Sequence, residues 1–175
     1  MKKLLLGIAA VCLAGFTFAQ DAPLWMRHSV ISPDGTTIAF TYKGDIYTVP
    51  VAGGRAMQIT TNPAYDTAPV WSPDSKRIAF ASDRMGSLDV YIVAKDGGEP
   101  RRLTTHSGSE TPLAFTDAGH VLFSAGIMPS AEAVVFPSNG QFNQVYRVSV
   151  EGGRPTMISS MPMECISINK EGAML

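Results

Sequence analysis

The sequence has few cysteines, almost no net charge and no long apolar run beyond its N-terminus, and each shortage argues against a class of protein. Its two cysteines are Cys12 and Cys165, too few for a disulfide-rich scaffold. Its formal net charge is −1, with no run of lysine and arginine outside the N-terminus, so nothing indicates a nucleic-acid surface. The chain has instead 16 glycines and 12 prolines, which fits a turn-rich β protein.

The first 19 residues have the pattern of a secretory signal peptide. Basic Met1-Lys2-Lys3 precedes an apolar stretch over residues 4–14, and residues 15–19 allow cleavage before Gln20. One alternative is an uncleaved membrane anchor, but the stretch is shorter than the roughly 20 residues of a spanning helix. Another is a lipid anchor on Cys12, which lacks a good lipobox. We therefore expect an exported protein, periplasmic or extracellular, with no membrane span after cleavage. Its remaining thiol, Cys165, is either a small core residue or a reactive cysteine.

The chain repeats one phrase at an interval of about 40 residues. Residues 30–40, VISPDGTTIAF, return as VWSPDSKRIAF at residues 70–80. Each copy leads to a short apolar run that begins at Asp45 or Asp89, then to a Gly-Gly pair and to Ile-Thr or Leu-Thr. A period of this length, built from short strands and tight turns, is typical of a β-propeller blade.

The repeat predicts an all-β fold, an incomplete propeller over residues 20–175. The blades are expected at about residues 25–61, 62–105 and 106–160, with a partial fourth at 161–175. The second blade has four extra residues, which fall within residues 83–88, and loops tolerate such additions. The third blade is degenerate and contains a long excursion over residues 126–144. Three blades and part of a fourth are too few to close a propeller ring, which usually has 4–8 blades, so we expect this chain to be a piece of a longer protein. The alternative is a short protein that closes its ring by self-assembly.

No catalytic, cofactor-binding or metal-binding residue is predicted. The three histidines, His28, His106 and His120, lack metal-ligand spacing and are expected at the surface or in turns. No Gly-x-Ser-x-Gly motif occurs. Asp45 and Asp89 open matching strands, so they either bind a cation or, as the recurrence favours, satisfy backbone N–H groups and pair with arginine.

Recurring aromatic residues are expected in the core. Tyr47, Tyr91 and Tyr146 recur once per blade, and Trp71 replaces Ile31 in the repeat. The connections at residues 81–88, 105–111 and 126–144 are candidates for the rim of a central channel. The last contains the apolar residues Met128, Phe136 and Phe142, which either pack on a further domain or line a substrate path.

The repeat resembles the TolB-type, WD40-like propeller repeat, which also occurs in prolyl-oligopeptidase-like enzymes and tricorn-type proteases. Three stretches are similar to the opening of exported tricorn-like serine peptidases: Pro23-Leu24-Trp25-Met26-Arg27, residues 40–47, and Pro63-Ala64-Tyr65-Asp66. This resemblance covers residues 23–175.

The resemblance implies that the segment guides peptides or unfolded polypeptide toward a catalytic serine-peptidase domain, preceded by a PDZ domain, elsewhere in the same protein. None of the residues present matches the motifs of those domains. The alternative is a non-enzymatic, TolB-like periplasmic propeller that binds protein partners. The sequence gives no oligomeric state.

Overall fold

A computed structural model of the chain describes residues 25–126 and 143–159. The predicted signal peptide, most of the long excursion with its three apolar residues, Cys165 and the partial fourth blade lie outside these residues. The strands of the described part are β1 (Arg27–Ile31), β2 (Thr37–Tyr42), β3 (Asp45–Pro50), β4 (Met57–Gln58), β5 (Asp66–Trp71), β6 (Arg77–Ser82), β7 (Asp89–Ala94), β8 (Arg101–Arg102), β9 (Glu110–Asp117), β10 (His120–Ala125), β11 (Gln144–Ser149) and β12 (Thr156–Ser159).

The strands form three antiparallel four-stranded sheets, each built from consecutive strands. We call them blade 1 (β1–β4), blade 2 (β5–β8) and blade 3 (β9–β12). The first strand of blade 2 contacts β1, β2 and β3 of blade 1, and the first strand of blade 3 contacts β5, β6 and β7 of blade 2. This arrangement confirms the predicted all-β propeller fold. The extra residues of the second repeat lie between β6 and β7, as expected.

The repeated Ser-Pro-Asp phrase forms the predicted tight turn between the first two strands of blades 1 and 2. The N–H of Gly35 donates to the carbonyl of Ser32 at 2.8 Å, and the N–H of Ser75 donates to that of Ser72 at 2.9 Å. The fourth position of the phrase has a positive φ, 72° at Gly35 and 57° at Ser75. Glycine reaches this conformation without steric cost, whereas serine is strained in it.

The hydrophobic core lies between the blades. The contact of blades 1 and 2, which we call seam 1, packs Ala39, Ile46 and Ile59 against Trp71, Ile78, Phe80, Tyr91 and Val93. The contact of blades 2 and 3, which we call seam 2, packs the repeat-equivalent residues Ala79, Val90 and Leu103 against Phe115, Val121, Phe123, Tyr146 and Val148. Each blade therefore buries one face against the next blade. Because blade 2 is covered on both faces, its strands are nearly continuous apolar runs in the sequence.

The predicted recurring tyrosines each stack on a phenylalanine of the neighbouring strand. Ring centroids are 5.9 Å apart for Phe40 and Tyr47 and 5.9 Å for Phe80 and Tyr91, and the pair in blade 3, Phe123 and Tyr146, is 5.7 Å apart. Trp71 is 8% exposed, which confirms its place in the core.

Blade 1 has one face that no other described blade covers. Ile31 is 58% exposed there, whereas the equivalent Trp71 is buried in seam 1. Val49 and Ile38 are half-buried, while their equivalents Val93 and Ile78 are buried. The same repeat positions thus differ in burial only because a neighbouring blade is present or absent.

Candidate functional site

Carboxylate side chains recur at the strand entries along both seams, and each seam has an arginine that pairs with one of them. Seam 1 carries Asp45 at the start of β3 and Asp66 at the start of β5. Seam 2 carries Asp89 and Glu110 at the equivalent positions, 44 residues later in each case (89 − 45 and 110 − 66). The two seams can therefore be compared residue by residue.

In seam 1, hydrogen bonds stabilise the carboxylate of Asp45. Gln58 Nε2 donates to Oδ2 at 3.0 Å, and Thr60 Oγ1 donates to Oδ1 at 3.4 Å. The same threonine hydroxyl accepts the N–H of Ile46 at 3.0 Å. Burial, and next the negative charge of Asp66, raise the pKa of Asp45 above its ordinary value, while these two hydrogen-bond donors oppose the shift.

The second carboxylate of seam 1, Asp66, is fully buried and paired with Arg84. Both carboxylate oxygens lie 3.0 Å from Arg84 Nη2. The guanidinium also donates from Nε to Ser82 Oγ at 2.8 Å. It lies over the Tyr91 ring, 4.5 Å from the ring centroid. The arginine comes from the connection between β6 and β7, so the extra residues of blade 2 supply the cation that neutralises a buried acid.

In seam 2 an arginine pairs with Asp89. Arg102 Nη2 lies 2.9 Å from Asp89 Oδ2, although neither carboxylate oxygen of the buried aspartate has a partner in hydrogen-bond geometry. Arg102 Nε donates to the carbonyl of Thr104 at 2.7 Å. The backbone of β9 is anchored here as well, because the N–H of Glu110 donates to the carbonyl of Leu88 at 2.7 Å.

Glu110 differs from its equivalent Asp66 because it lacks an arginine partner. Its side chain is buried, at 1% exposure, and neither carboxyl oxygen has a partner in hydrogen-bond geometry. Burial raises the pKa of Glu110 to about 7, and the charge of Asp89 adds to the rise. The nearby Thr104 hydroxyl and the Arg102 guanidinium oppose it. A buried carboxyl with a pKa this far from its ordinary value is a candidate functional group.

An open groove of about 670 Å³ runs along the outer part of seam 1. Arg84 and Arg102 line it, together with Tyr91, Met85 and the prolines Pro63 and Pro100. Since Arg84 and Arg102 are each committed to a buried carboxylate, the groove wall carries little unpaired positive charge.

The predicted roles of Asp45 and Asp89 are confirmed in part. Asp89 does pair with an arginine, but the expectation that its carboxylate satisfies a backbone N–H at the strand entry is wrong, because the N–H of Val90 donates to Thr104 Oγ1 at 2.9 Å instead. The partners of Asp45 are Gln58 and Thr60, neither of them an arginine. The threonine hydroxyls of the Ile-Thr and Leu-Thr pairs, Thr60 and Thr104, therefore accept the strand-entry N–H groups that the carboxylates were expected to accept.

The histidines lie where the sequence places them, at exposed or half-buried positions. His28 Nδ1 lies 3.1 Å from Thr67 Oγ1, which joins the first strands of blades 1 and 2. His106 Nδ1 accepts the N–H of Gly108 at 3.0 Å, and His120 Nδ1 lies 3.1 Å from the Asp117 carboxylate. Each histidine therefore has a structural partner.

Two of the predicted rim connections lie side by side. Ser87 Oγ donates to the carbonyl of His106 at 3.3 Å. The connections themselves are shorter than expected, because Ala81 and Ser82 belong to β6 and Glu110 and Thr111 to β9.

Sequence reasoning missed Asp66, Arg102 and Glu110 as members of one cluster. The 44-residue spacing of Asp66 and Glu110, the same as that of Asp45 and Asp89, was the available signal. In residues 25–126 and 143–159 no three histidine, cysteine or acidic side chains are grouped to hold a metal ion. The same residues contain no helix of the length and hydropathy needed to cross a membrane.

The family model for the tricorn protease N-terminal β-propeller domain matches residues 23–175. The chain belongs to this family. The resemblance found in the repeat and in the opening phrases is thereby confirmed.

Relatives of this propeller include much longer proteins. Tricorn protease homolog 1 of Streptomyces coelicolor is 35% identical over 102 residues, which are 58% of this chain and 9% of the relative. The uncharacterized peptidase YuxL of Bacillus subtilis is 30% identical over 129 residues, 73% of this chain and 20% of the relative. The chain thus spans a fifth or less of the length of these two proteins.

Solved structures share the fold of this propeller. TolB from Acinetobacter baumannii superposes with a TM-score of 0.66 at 20% identity, covering 85% of this chain and 36% of TolB. The tricorn protease superposes with a TM-score of 0.59 at 12% identity, covering 81% of this chain and 18% of the protease. At these identities the likeness concerns the fold alone.

Proposed function

We propose that this propeller is the substrate-guiding part of an exported, tricorn-like serine peptidase. The observation that carries the proposal is the match of residues 23–175 to the tricorn N-terminal propeller domain. The relative from Streptomyces coelicolor, named a tricorn protease homolog, and the relative named a peptidase support it. The pattern of residues 1–19 supports export.

In this proposal the catalytic serine and its partners belong to a peptidase domain, preceded by a PDZ domain, elsewhere in the parent protein. The propeller, residues 20–175 with its further blades, admits peptides or unfolded polypeptide to that domain. No catalytic, cofactor or metal role is assigned to a residue of the propeller. The uncovered face of blade 1, with Ile31 at 58% exposure, is then the surface on which a further blade packs.

The test compares the parent protein with the 175-residue chain in a peptide-hydrolysis assay. We expect the parent to cleave unfolded polypeptide, a serine-reactive inhibitor to block cleavage, and the chain alone to cleave nothing. A parent that lacks the propeller should still cleave short peptides but lose its preference among longer substrates. Cleavage by the chain alone, or a parent unaffected by the inhibitor, would contradict the proposal.

A TolB-like, non-enzymatic binding module is the second candidate. It is supported by the Tol-Pal system protein TolB of Bordetella pertussis, which is 44% identical over 55 residues, 31% of this chain and 13% of TolB. If this candidate is right, the parent protein has no peptidase domain. In a pull-down from an envelope extract, the parent should then retain a discrete protein partner. Inhibitor-sensitive cleavage by the parent distinguishes the two candidates.

A further inference from the structure

Within residues 25–126 and 143–159, seam 2 contains a buried carboxyl group that forms no ion pair. Glu110 is 1% exposed, and the Thr104 hydroxyl is close enough to affect its pKa although neither carboxyl oxygen has a partner in hydrogen-bond geometry. At the equivalent position of seam 1, Asp66 is held through both carboxylate oxygens by Arg84. The two seams therefore bury a carboxyl group at the same repeat position, but the one in seam 1 is paired with an arginine and the one in seam 2 is not.

The difference follows from the connection that supplies the arginine. Arg84 lies in the connection between β6 and β7. The corresponding connection of blade 3, residues 126–143, contains no lysine, arginine or histidine. Blade 3 thus has no basic residue at this place in the sequence to neutralise Glu110.

The groups around Glu110 do not replace that missing cation. Asp89 of β7 raises the pKa of Glu110, and Arg102 of β8 and the Thr104 hydroxyl lower it. Arg102, the only cation among these three, already pairs with Asp89 at 2.9 Å and donates to the Thr104 carbonyl. An ionised Glu110 would place a second negative charge beside Asp89 in a site that water does not reach, and burial makes such a charge costly.

We propose that Glu110 is a proton-operated switch of seam 2, which packs tightly when the carboxyl group is neutral and loosens when it ionises. A neutral carboxyl group removes the repulsion from Asp89 and leaves Arg102 to neutralise that residue alone. Ionisation sets two carboxylates in competition for one guanidinium, at the point where the N–H of Glu110 joins β9 to Leu88. The contact of blades 2 and 3 thereby becomes sensitive to pH.

The direction of the effect follows from the raised pKa of about 7 in the fold, against an ordinary value of 4.5. Because the folded chain keeps this proton more tightly than the unfolded chain, the stabilising effect of the neutral form is complete below pH 4.5 and is lost as the pH rises to 7. Well above pH 7 the group is ionised in both states, and the stability contribution no longer changes with pH.

The test measures Glu110 directly and through stability. In the folded 175-residue chain, carboxyl ¹³C NMR should show one glutamate that titrates near pH 7 and is absent from Glu110→Gln. Urea unfolding at pH 5.5 and at pH 8.0 gives the factor by which the unfolding equilibrium constant rises with pH. This factor should be roughly thirty times larger for the native chain than for Glu110→Gln. Glu99→Gln is the matched control, because Glu99 is exposed, and it should leave the native pH dependence unchanged.

Two results would overturn the inference. One is a chain in which every glutamate titrates below about pH 5.5, close to the ordinary range; this result needs no variant and holds even if Glu110→Gln fails to fold. The other is an equal pH dependence of unfolding in the native chain and Glu110→Gln.

Discussion

Ile78 and Ile38 occupy the same position in consecutive repeats, yet we expect very different consequences when each is replaced by alanine. Ile78 is fully buried in seam 1, where it packs within the cluster that includes Trp71 and Phe80. Ile38 lies on the uncovered face of blade 1 and is half-buried. The two substitutions delete the same atoms from the same strand position, so the comparison isolates the effect of a neighbouring blade.

The expected magnitudes follow from the two environments. Ile78→Ala removes buried carbon atoms and leaves a cavity between two blades, which should lower the free energy of unfolding by about 2–5 kcal/mol. Ile38→Ala removes atoms that remain partly in contact with water and leaves no closed cavity, so the loss should be about 1–2 kcal/mol.

Urea unfolding of the two variants at one pH measures both losses, with the m-value as a check that each variant unfolds in the same manner. A second matched pair, Val93→Ala and Val49→Ala, repeats the comparison, since Val93 is 3% exposed and Val49 half-buried. Equal losses at both members of each pair would refute the reasoning, because they would mean that the outer face of blade 1 is as well covered as seam 1.

Two further substitutions test the seam charges and the turn. Arg84→Met should lower the free energy of unfolding by about 3–5 kcal/mol because it leaves the buried carboxylate of Asp66 unpaired, and adding Asp66→Asn should recover part of that loss. The matched control, Glu151→Gln, breaks an exposed pair with Arg101 and leaves the bond from Arg101 to the Val150 carbonyl in place, so it should cost at most about 1 kcal/mol; a loss as large as that of Arg84→Met would contradict the argument. Gly35→Ala should cost about 1–2 kcal/mol through backbone strain, since φ is 72° and no atom beyond the adjoining residues lies within 4 Å of the added Cβ, and unchanged thermal unfolding would show that the turn adapts.

The fold could be predicted because its signals are local and recur. Ser-Pro-Asp turns, apolar strands and Gly-Gly pairs each specify a short piece of backbone, and a period of about 40 residues orders them into blades. The short apolar runs expected to begin at Asp45 and Asp89 are the strands Asp45–Pro50 and Asp89–Ala94.

The seam cluster was harder to predict because its members are distant in sequence. Asp66 and Arg84 are 18 residues apart, and nothing in either residue's neighbours indicates that they meet. The sequence did indicate an arginine partner for Asp89 but not which one, and Arg102 follows only from the pairing of β7 with β8. A carboxylate at a strand entry predicts some compensating donor, whereas the identity of that donor depends on which strands lie side by side.

The sequence by itself determined the propeller repeat, the recurrence of one tyrosine per blade and the place of the insertion, because turns and strand periodicity depend on neighbouring residues alone. Only the tertiary structure decided which repeat positions are buried and which charges are paired. Ile31 and Trp71 stand at the same place in the repeat, but burial needs the next blade. Asp66 and Glu110 also share a place, but neutralisation needs an arginine within a few ångströms, and one connection supplies it while Glu110 is left without one.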